Sequence, residues 1–241
     1  MNHFRHIAII VAGGKGQRMQ SRQKKQYLEL EKIPVLTRTI TVFESHEKIC
    51  DIILVVPEED INFCREAILE PFGFTTPIHL IAGGISRQDS VFNGLKKACE
   101  LSPLFDRTRF DKTVVLIHDG VRPFIGKKIM DDCIEKAVIK GACIPAVKIS
   151  DTVKKVVADQ KIDRTLDRDF LYKAQTPQVF RLDLVLKAYS HAAATSFSGT
   201  DDASLMEHAG LPVFVADGSL FNIKLTTPED LFLARFLLSN L

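Results

Sequence analysis

A glycine-rich turn with basic residues follows the first apolar segment of the chain. The segment Ile7–Val11 leads directly into AGGKGQRM, which contains three glycines, Lys15 and Arg18. A glycine turn after a strand lets backbone N–H groups approach an anion closely. Dinucleotide-binding folds, phosphate loops of NTPases and nucleotidyltransferases all use such a turn. Other residues of the chain must therefore distinguish these three kinds of site.

The spacing within the turn argues against two of them. Counted from Gly14, the third glycine of a dinucleotide fingerprint would fall at Met19. A phosphate loop needs Ser or Thr after its Gly-Lys pair, and this chain has Gly16 there. The turn therefore fits a nucleotidyltransferase best.

Nucleotidyl transfer builds negative charge on the α-phosphate, so cations aimed at that point lower the barrier. Arg18 ends the turn, and Lys24 and Lys25 follow in RQKKQYL. Taken singly, the arginine could be an ordinary helix-start residue and the lysines a solvated basic surface. These basic residues support a nucleotidyltransferase site only in combination with the polar clusters further along the chain.

Two more polar clusters follow apolar segments. AGGISRQDSV contains Gly83, Gly84, Arg87 and Ser90, a second glycine turn that could lie along a base or ribose. HDGVRPF places an aspartate and an arginine on one short loop, with a proline fixing the backbone.

Asp119 of the HDGVRPF loop is a candidate magnesium ligand, because aspartates at strand ends often bind this metal in phosphoryl chemistry. A helix cap or a partner for Arg122 is an equally good interpretation. We expect His118 to be a structural cap at the strand end, without an acid–base role.

Strand-like and helix-like segments alternate along the first 150 residues, which predicts an α/β fold with a doubly wound, mostly parallel sheet. The predicted strands are Ile7–Val11, Ile52–Val56, Ile78–Ile81, Val114–His118 and Ala142–Val147. The predicted helices are Leu36–Ser45, Glu58–Leu69, Gln88–Cys99 and Lys127–Lys140. All three polar clusters fall at carboxyl ends of strands, where such sheets bind ligands.

Beyond Val147 the pattern becomes polar and weakly alternating, which predicts a β-hairpin with ADQK at its turn. Residues 148–170 would form either a plain surface hairpin or an arm that reaches a second subunit. Thr227 and Pro228 predict the start of a last helix. Without a linker or repeat, residues 1–241 are expected to form one domain.

Composition limits the partners and the compartment. The chain has 241 residues and a formal net charge of +2, too small to suggest nucleic acid or a membrane surface. Five cysteines show neither a CxxC pair nor zinc-ligand spacing, which indicates a reducing compartment. With no signal peptide or spanning segment recognised, we expect a cytoplasmic protein.

Eight motifs in succession resemble the 2-C-methyl-D-erythritol 4-phosphate cytidylyltransferase family. The resemblance extends from Ile7 to about Leu233. The motifs are AGGKGQRM, KQYLEL, AGGISRQDSV, HDGVRPF, SDTVKKV, DRDFLYKAQTPQVF, GTDDASLMEHAG and NIKLTTPEDL. In that family the phosphate of methylerythritol phosphate attacks CTP in the presence of Mg²⁺, giving a CDP-alcohol and pyrophosphate.

The resemblance implies the following site. Arg18 and Lys25 would stabilise the charge on the α-phosphate, while Arg168 and Lys224 would hold the acceptor phosphate. The expected nucleotide-binding residues are Ala12, Gly13, Gly14, Gly16, Gly83, Gly84, Arg87, Ser90 and Asp119. The sugar-phosphate pocket would be lined by Asp119, Arg122, Thr152, Thr176 and Thr200. The hairpin would cross to a partner in a homodimer, so that Thr152 and Arg168 serve the neighbouring site.

The chain departs from the family pattern at three positions. The first turn has Gly13 where a second alanine is commoner. Lys24 replaces the usual proline and is expected to loosen the approach of Lys25. Ile85 replaces a frequent acid near the base, which bears on the preference for CTP.

Three alternatives stay open. The ribitol 5-phosphate cytidylyltransferases form a sister group with the same reaction type, and AGGKG, VRPF and FNIK are compatible with it. SDTVKK and GTDDASLMEH favour methylerythritol phosphate, and QTPQVF and DRDFLY disfavour a sugar-1-phosphate nucleotidyltransferase. A nucleotide-binding protein without catalysis would have the same fold.

Overall fold

A computed structural model describes residues 4–14, 24–102 and 107–240. The strands are β1 (Arg5–Val11), β2 (Glu29–Leu30), β3 (Ile33–Pro34), β4 (Ile49–Val56), β5 (Ile78–Ala82), β6 (Thr113–Asp119), β7 (Ala142–Lys148), β8 (Lys154–Val156), β9 (Ile162–Thr165), β10 (Tyr172–Ala174), β11 (Gln178–Arg181) and β12 (Phe214–Asp217). The helices are α1 (Val35–Glu44), α2 (Ile61–Phe63), α3 (Arg87–Leu101), α4 (Lys127–Lys140), α5 (Leu182–Ala194), α6 (Asp202–His208) and α7 (Pro228–Asn240).

An eight-stranded sheet organises the fold. β5, β4, β1 and β6 lie side by side and are parallel. β11 follows β6 in antiparallel orientation and also pairs with β7. β7 pairs in addition with the antiparallel β10 and the parallel β12. The predicted α/β fold with a mostly parallel sheet is confirmed.

The alternation of side chains along β1 divides the core between the two faces of the sheet. Ala8 and Ile10 pack into one buried cluster, which includes residues of α1 and α4. Ile7 and Ile9 face the other cluster, with residues of α3 and α5. Helices therefore cover both faces, as the nearly continuous apolar strands require.

The sequence located five strands of the sheet, β1, β4, β5, β6 and β7, and missed later elements. β10, β11, β12, α5 and α6 were not predicted. β10 is exposed along its length, so it lacks the apolar pattern of a buried strand. The segment predicted as one helix after β4 is instead a short turn, α2 and a wider helical turn at Cys64–Leu69.

The predicted hairpin is present and lies outside the core. β8 and β9 pair in antiparallel orientation, and every residue of both strands is exposed. Ala158–Gln160 forms the turn, with Asp159 and Gln160 at positive φ. We call residues 148–170 the arm. None of the helices in the described parts of the chain is long and apolar enough to cross a bilayer.

Candidate active site

A cavity of about 200 Å³ opens at the carboxyl ends of β1 and β6. It lies between the first glycine turn, the start of α3 and the loop before α7. Its lining residues are Val11, Ala12, Gly13, Gly14, Lys25, Gln26, Gly84, Ile85, Ser86, Arg87, Ser90, Asp119, Val121 and Lys224. A wider groove beside it shares Gly13, Gly84, Ile85 and Ser90 and also contacts Gly83. The structure thus brings the three polar clusters of the sequence together.

The second glycine turn needs glycine because its backbone approaches the start of α3 closely. A Cβ on Gly83 would lie 2.8 Å from the Ser90 hydroxyl, and one on Gly84 would collide with Asp89. Ser90 Oγ accepts a hydrogen bond from the Gly84 N–H at 3.0 Å and donates to Ser86 O at 2.9 Å. Since its one proton is already donated, this hydroxyl can only accept from a ligand.

Asp119 lies beneath the cavity with three cations around it. Lys224 Nζ is 2.8 Å from one carboxylate oxygen, with Arg122 Nε at 3.6 Å, and Arg87 Nε is 3.7 Å from the other oxygen. Burial would raise the pKa of Asp119, but Lys224, Arg87 and Arg122 hold it well below its usual range. Together with Asp202, which pairs with Arg87, the cluster contains three cations and two carboxylates, and this excess of positive charge favours an anionic ligand.

Arg87 is fixed by a buried carboxylate that the sequence analysis did not single out. Arg87 Nη2 donates to Asp202 at 2.8 Å, and Tyr189 donates to the other oxygen of Asp202 at 2.6 Å. Asp202 is 1% exposed. Its position in GTDDASLMEHAG was the available signal, because two adjacent acids before a helix exceed what capping needs. Asp201 caps α6, and Asp202 is left to hold Arg87.

His118 connects the Asp119 loop to the segment before β11. Its Nε2 is 3.0 Å from the Arg122 carbonyl, which can only accept, so Nε2 bears the proton. Nδ1 must then accept from the Thr176 hydroxyl at 3.0 Å, and that hydroxyl accepts from the Asp119 N–H at 3.2 Å. Burial lowers the pKa of His118 to about 4, so the ring is neutral. This agrees with the structural role expected of it.

Thr176 and Arg122 lie behind the cavity rather than on its wall. Thr176 is 6% exposed, and its hydroxyl is already used by His118 and Asp119. Arg122 Nη1 donates to Asn222 O at 2.7 Å. Both were expected to line the sugar-phosphate pocket, and the structure places them as supports of it. Thr200 is exposed next to the α6 cap and does not line the cavity either.

The loop that contains Lys224 is held by a buried amide pair. Gln175 Nε2 donates to Ser219 O at 2.7 Å, and Asn222 Nδ2 donates to Thr176 O at 2.9 Å. The Leu225 N–H donates to Val121 O at 2.9 Å. Lys224 therefore reaches Asp119 from a docked segment about 100 residues further along the chain.

Lys25 lies on a short helical turn, Lys25–Tyr27, beside the first glycine turn. Its Nζ is 3.9 Å from where a Cβ on Gly14 would be. Gln26 Nε2 donates to Ala12 O at 2.7 Å and ties this turn to the end of β1. Gly16 and Arg18 lie outside the described residues.

The expected loosening at Lys24 does not occur. Lys24 Nζ is 2.7 Å from Asp60 and 3.0 Å from Glu59. These ion pairs hold the residue in place of a rigid ring. The backbone at Lys24 has φ −60° and ψ 135°, values that proline also adopts.

Thr152 and Arg168 are exposed on the arm and do not line the cavity of their own chain. The Arg168 guanidinium donates to Ser150 O within the arm. The two residues predicted to serve a neighbouring site are thus presented to solvent.

The donor set suits magnesium only together with substrate oxygens. Within the described ranges, no three His, Cys, Asp or Glu side chains come together to hold a metal. Asp119 is the one carboxylate among the described lining residues of the cavity. Magnesium commonly uses one or two carboxylates plus phosphate oxygens, so Asp119 fits as a single ligand beside a triphosphate, directly or through water.

Comparison with known proteins agrees with this architecture. The family model of 2-C-methyl-D-erythritol 4-phosphate cytidylyltransferase matches residues 6–240. The chain is 45% identical to the enzyme of that name from Syntrophus aciditrophicus, over 95% of this chain and 94% of the relative. Identity to the Geotalea uraniireducens relative is 44%, over 98% of both chains.

Solved structures show the same likeness in three dimensions. The 4-diphosphocytidyl-2C-methyl-D-erythritol synthase of Anaerococcus prevotii superposes with a TM-score of 0.82 at 34% identity, covering 99% of this chain and 97% of that one. A Thermus thermophilus structure has a TM-score of 0.74 at 26% identity, over 95% and 97%. The chain belongs to the 2-C-methyl-D-erythritol 4-phosphate cytidylyltransferase family.

Proposed function

We propose that this protein transfers CMP from CTP to 2-C-methyl-D-erythritol 4-phosphate, a step of non-mevalonate isoprenoid precursor synthesis. A phosphate oxygen of the acceptor attacks the α-phosphorus, the bond to the β-phosphate oxygen breaks, and pyrophosphate leaves. The observation behind this assignment is the cation cluster around Asp119, set between two glycine turns in a chain of this family.

The nucleophile is an ionised phosphate, so the reaction needs no general base. The groups around the cavity match this requirement. Asp119 is engaged by cations, and His118 is fully buried with both ring nitrogens hydrogen-bonded. Catalysis would rest on positioning and on electrostatic stabilisation of the transferring phosphoryl group.

Lys25 is placed to stabilise the charge that develops on the α-phosphate. It lies on the cavity wall beside Gly14, where the triphosphate would meet the backbone of the first glycine turn. Gly83, Gly84 and Ser90 border the adjoining groove, which would receive the ribose and cytosine. Arg18 is proposed as the second cation on the α-phosphate.

Lys224 is proposed to hold the acceptor phosphate, because it lines the cavity and reaches Asp119. Arg122 and Thr176 would support this part of the site from behind, and Thr200 remains a proposed contact of the acceptor. In a homodimer, the arm of a second copy would add Arg168 and Thr152 to this site. Exposure of both residues on a projecting arm supports that arrangement.

We further propose that the protein uses Mg²⁺ and is located in the cytoplasm. Mg²⁺ would be held by Asp119 together with triphosphate oxygens, and it would neutralise charge on the phosphates. A cytoplasmic location is supported by the cysteines, because all five are free thiols and three of them are buried.

Pyrophosphate release tests the function. CTP and Mg²⁺ are supplied with methylerythritol 4-phosphate, with ribitol 5-phosphate, or with neither. We expect higher kcat/KM with the first acceptor and no release without one. Preference for ribitol 5-phosphate would move the protein to the sister activity. Thermal stabilisation by CTP without turnover of either acceptor would identify a binding protein instead.

A further inference from the structure

The helical turn that contains Lys25 is attached at both of its ends to the turn that follows β4. Lys24 precedes the turn and Tyr27 closes it, and both side chains converge on Asp60. Lys24 Nζ and Tyr27 Oη lie 2.7 Å and 2.8 Å from the same carboxylate oxygen. Asp60 thus contacts Lys24 and Tyr27, the residues on either side of Lys25 and Gln26.

Asp60 is well placed to act as a fixed anchor. It lies in the turn Glu58–Asp60, directly after the central strand β4, and its N–H donates to Pro57 O at 2.9 Å. Its side chain is only 14% exposed. The Asp60 carboxylate is therefore largely shielded from solvent, although Glu58 and Glu59 of the same turn are exposed.

The two contacts to Asp60 are charge-assisted and have defined donors. Burial raises the pKa of Tyr27, as do its contacts with Cys64 and Asp60, so the phenol stays protonated and donates. Burial works against the charged form of Lys24, but its hydrogen bonds to Asp60 and Glu59 raise its pKa overall. Hydrogen bonds to an ionised acceptor are shorter and stronger than neutral ones.

We propose that Asp60 is a positioning residue, which acts through Lys24 and Tyr27 to hold Lys25 against the first glycine turn. Lys24 borders the groove beside the cavity, and there its ammonium group is paired with Asp60 and Glu59, so we assign it to this anchor. The inference rests on the proposed role of Lys25 in nucleotidyl transfer. Small displacements of a catalytic group cost large factors in rate, so the anchor should influence kcat.

Three variants separate this role from a simple charge effect. Asp60→Asn keeps the size of the side chain and weakens both contacts, and kcat should fall ~10-fold with a smaller change in the KM for CTP. Lys24→Ala and Lys24→Pro remove the same charge, but only proline fixes φ near the observed −60°. Lys24→Ala should therefore lower kcat, while Lys24→Pro should remain within about twofold of the parent protein.

Equal losses in Lys24→Ala and Lys24→Pro, with the exchange of the Tyr27 and Leu28 amides unchanged in both, would overturn the assignment of Lys24 to the anchor, because a contact between its charge and the nucleotide would then explain them. Unchanged kcat in Asp60→Asn would overturn the positioning role of Asp60. Melting curves of each variant show whether the fold is retained.

Hydrogen exchange gives a measurement that does not depend on turnover. The amides of Tyr27 and Leu28 donate to the carbonyls of Lys24 and Lys25 and so report on this turn. Asp60→Asn should speed their exchange ~10-fold or more, with the amides of β1 unaffected. Unchanged exchange would reject the anchor even if the protein is an active cytidylyltransferase. Faster exchange in a protein that releases no pyrophosphate would retain the anchor and reject the proposed function.

Discussion

The Asp119 cluster and the arm both contain residues of the proposed active site, but those residues differ in burial. Around Asp119, ion pairs hold the charged side chains together, and the supporting residues His118, Thr176 and Asp202 are buried. On the arm, Thr152 and Arg168 are exposed and face no cavity of their own chain. Both regions contain residues assigned to the substrates. They differ in how those residues are held: by buried contacts around Asp119, and by few contacts on the arm.

This difference indicates a division of labour. The nucleotide half is preorganised by one chain, so its donors cost little reorganisation when the triphosphate binds. In the proposed homodimer, the acceptor half would gain part of its charge from the arm of the second copy. Variants in the first half should therefore affect the chemical step or stability, and variants in the arm should depend on the subunit partner.

Lys25→Ala should give the largest effect on rate. Removal of one preorganised cation from the transition state should lower kcat by ~100-fold or more, with the fold retained. Lys187→Ala, at an exposed lysine on α5, is the matched control and should leave kcat unchanged. Steady-state pyrophosphate release measures both, and a normal kcat in Lys25→Ala would remove this lysine from the mechanism.

The stability of the protein should depend on pH through His118, which is buried beside Asp119. The pKa of His118 is lowered from 6.5 to about 4, so between these values the unfolded chain binds a proton that the folded chain does not. The contribution of His118 to stability is thus complete above pH 6.5 and is lost as the pH falls toward 4, on the order of 3 kcal/mol.

Urea unfolding of the parent protein and of His118→Gln across this pH range measures that contribution. The measurement is made without nucleotide or divalent ions. The difference between the two proteins should shrink as the pH falls. Parallel stability curves would mean that His118 is not held neutral by the fold.

Arg168→Ala should lower kcat/KM for the acceptor ~10-fold while leaving CTP binding almost intact. Mixing the Arg168→Ala protein with the Lys25→Ala protein tests whether Arg168 acts in the active site of its own chain or in that of the partner subunit. If the arm crosses to a partner, mixed dimers contain one site with both defects and one intact site. An equal mixture should then recover about a quarter of the parent activity. No recovery after subunit exchange, or a fully active monomer in sedimentation, would place Arg168 in its own chain.

Ile85→Ala should have the smallest effect, although this residue lines the same cavity. Its side chain is fully exposed, so the stability change should stay within about 0.5 kcal/mol. If backbone groups read the base, kcat/KM for CTP should change less than ~5-fold and the ratio of CTP to UTP should hold. A large shift in that ratio would show that position 85 selects the base.

The comparison of prediction with structure is most informative at Thr176, Asp202 and Lys24. The sequence assigned Thr176 to the substrate pocket, but its hydroxyl is used by His118 and Asp119. Asp202 contacts Arg87, 115 positions away, and no local pattern encodes that meeting. The Lys24 anchor depends on a residue 36 positions further along the chain.

The sequence by itself determined five strands of the sheet and the edge at which the polar clusters meet. Apolar periodicity and glycine spacing are local properties, and local sterics decide strand, turn and helix. Only the tertiary structure decided which polar residues face the cavity and which stand behind it. That choice depends on helix packing and on competition for buried hydrogen bonds, because a buried donor or acceptor must find a partner wherever the fold supplies one.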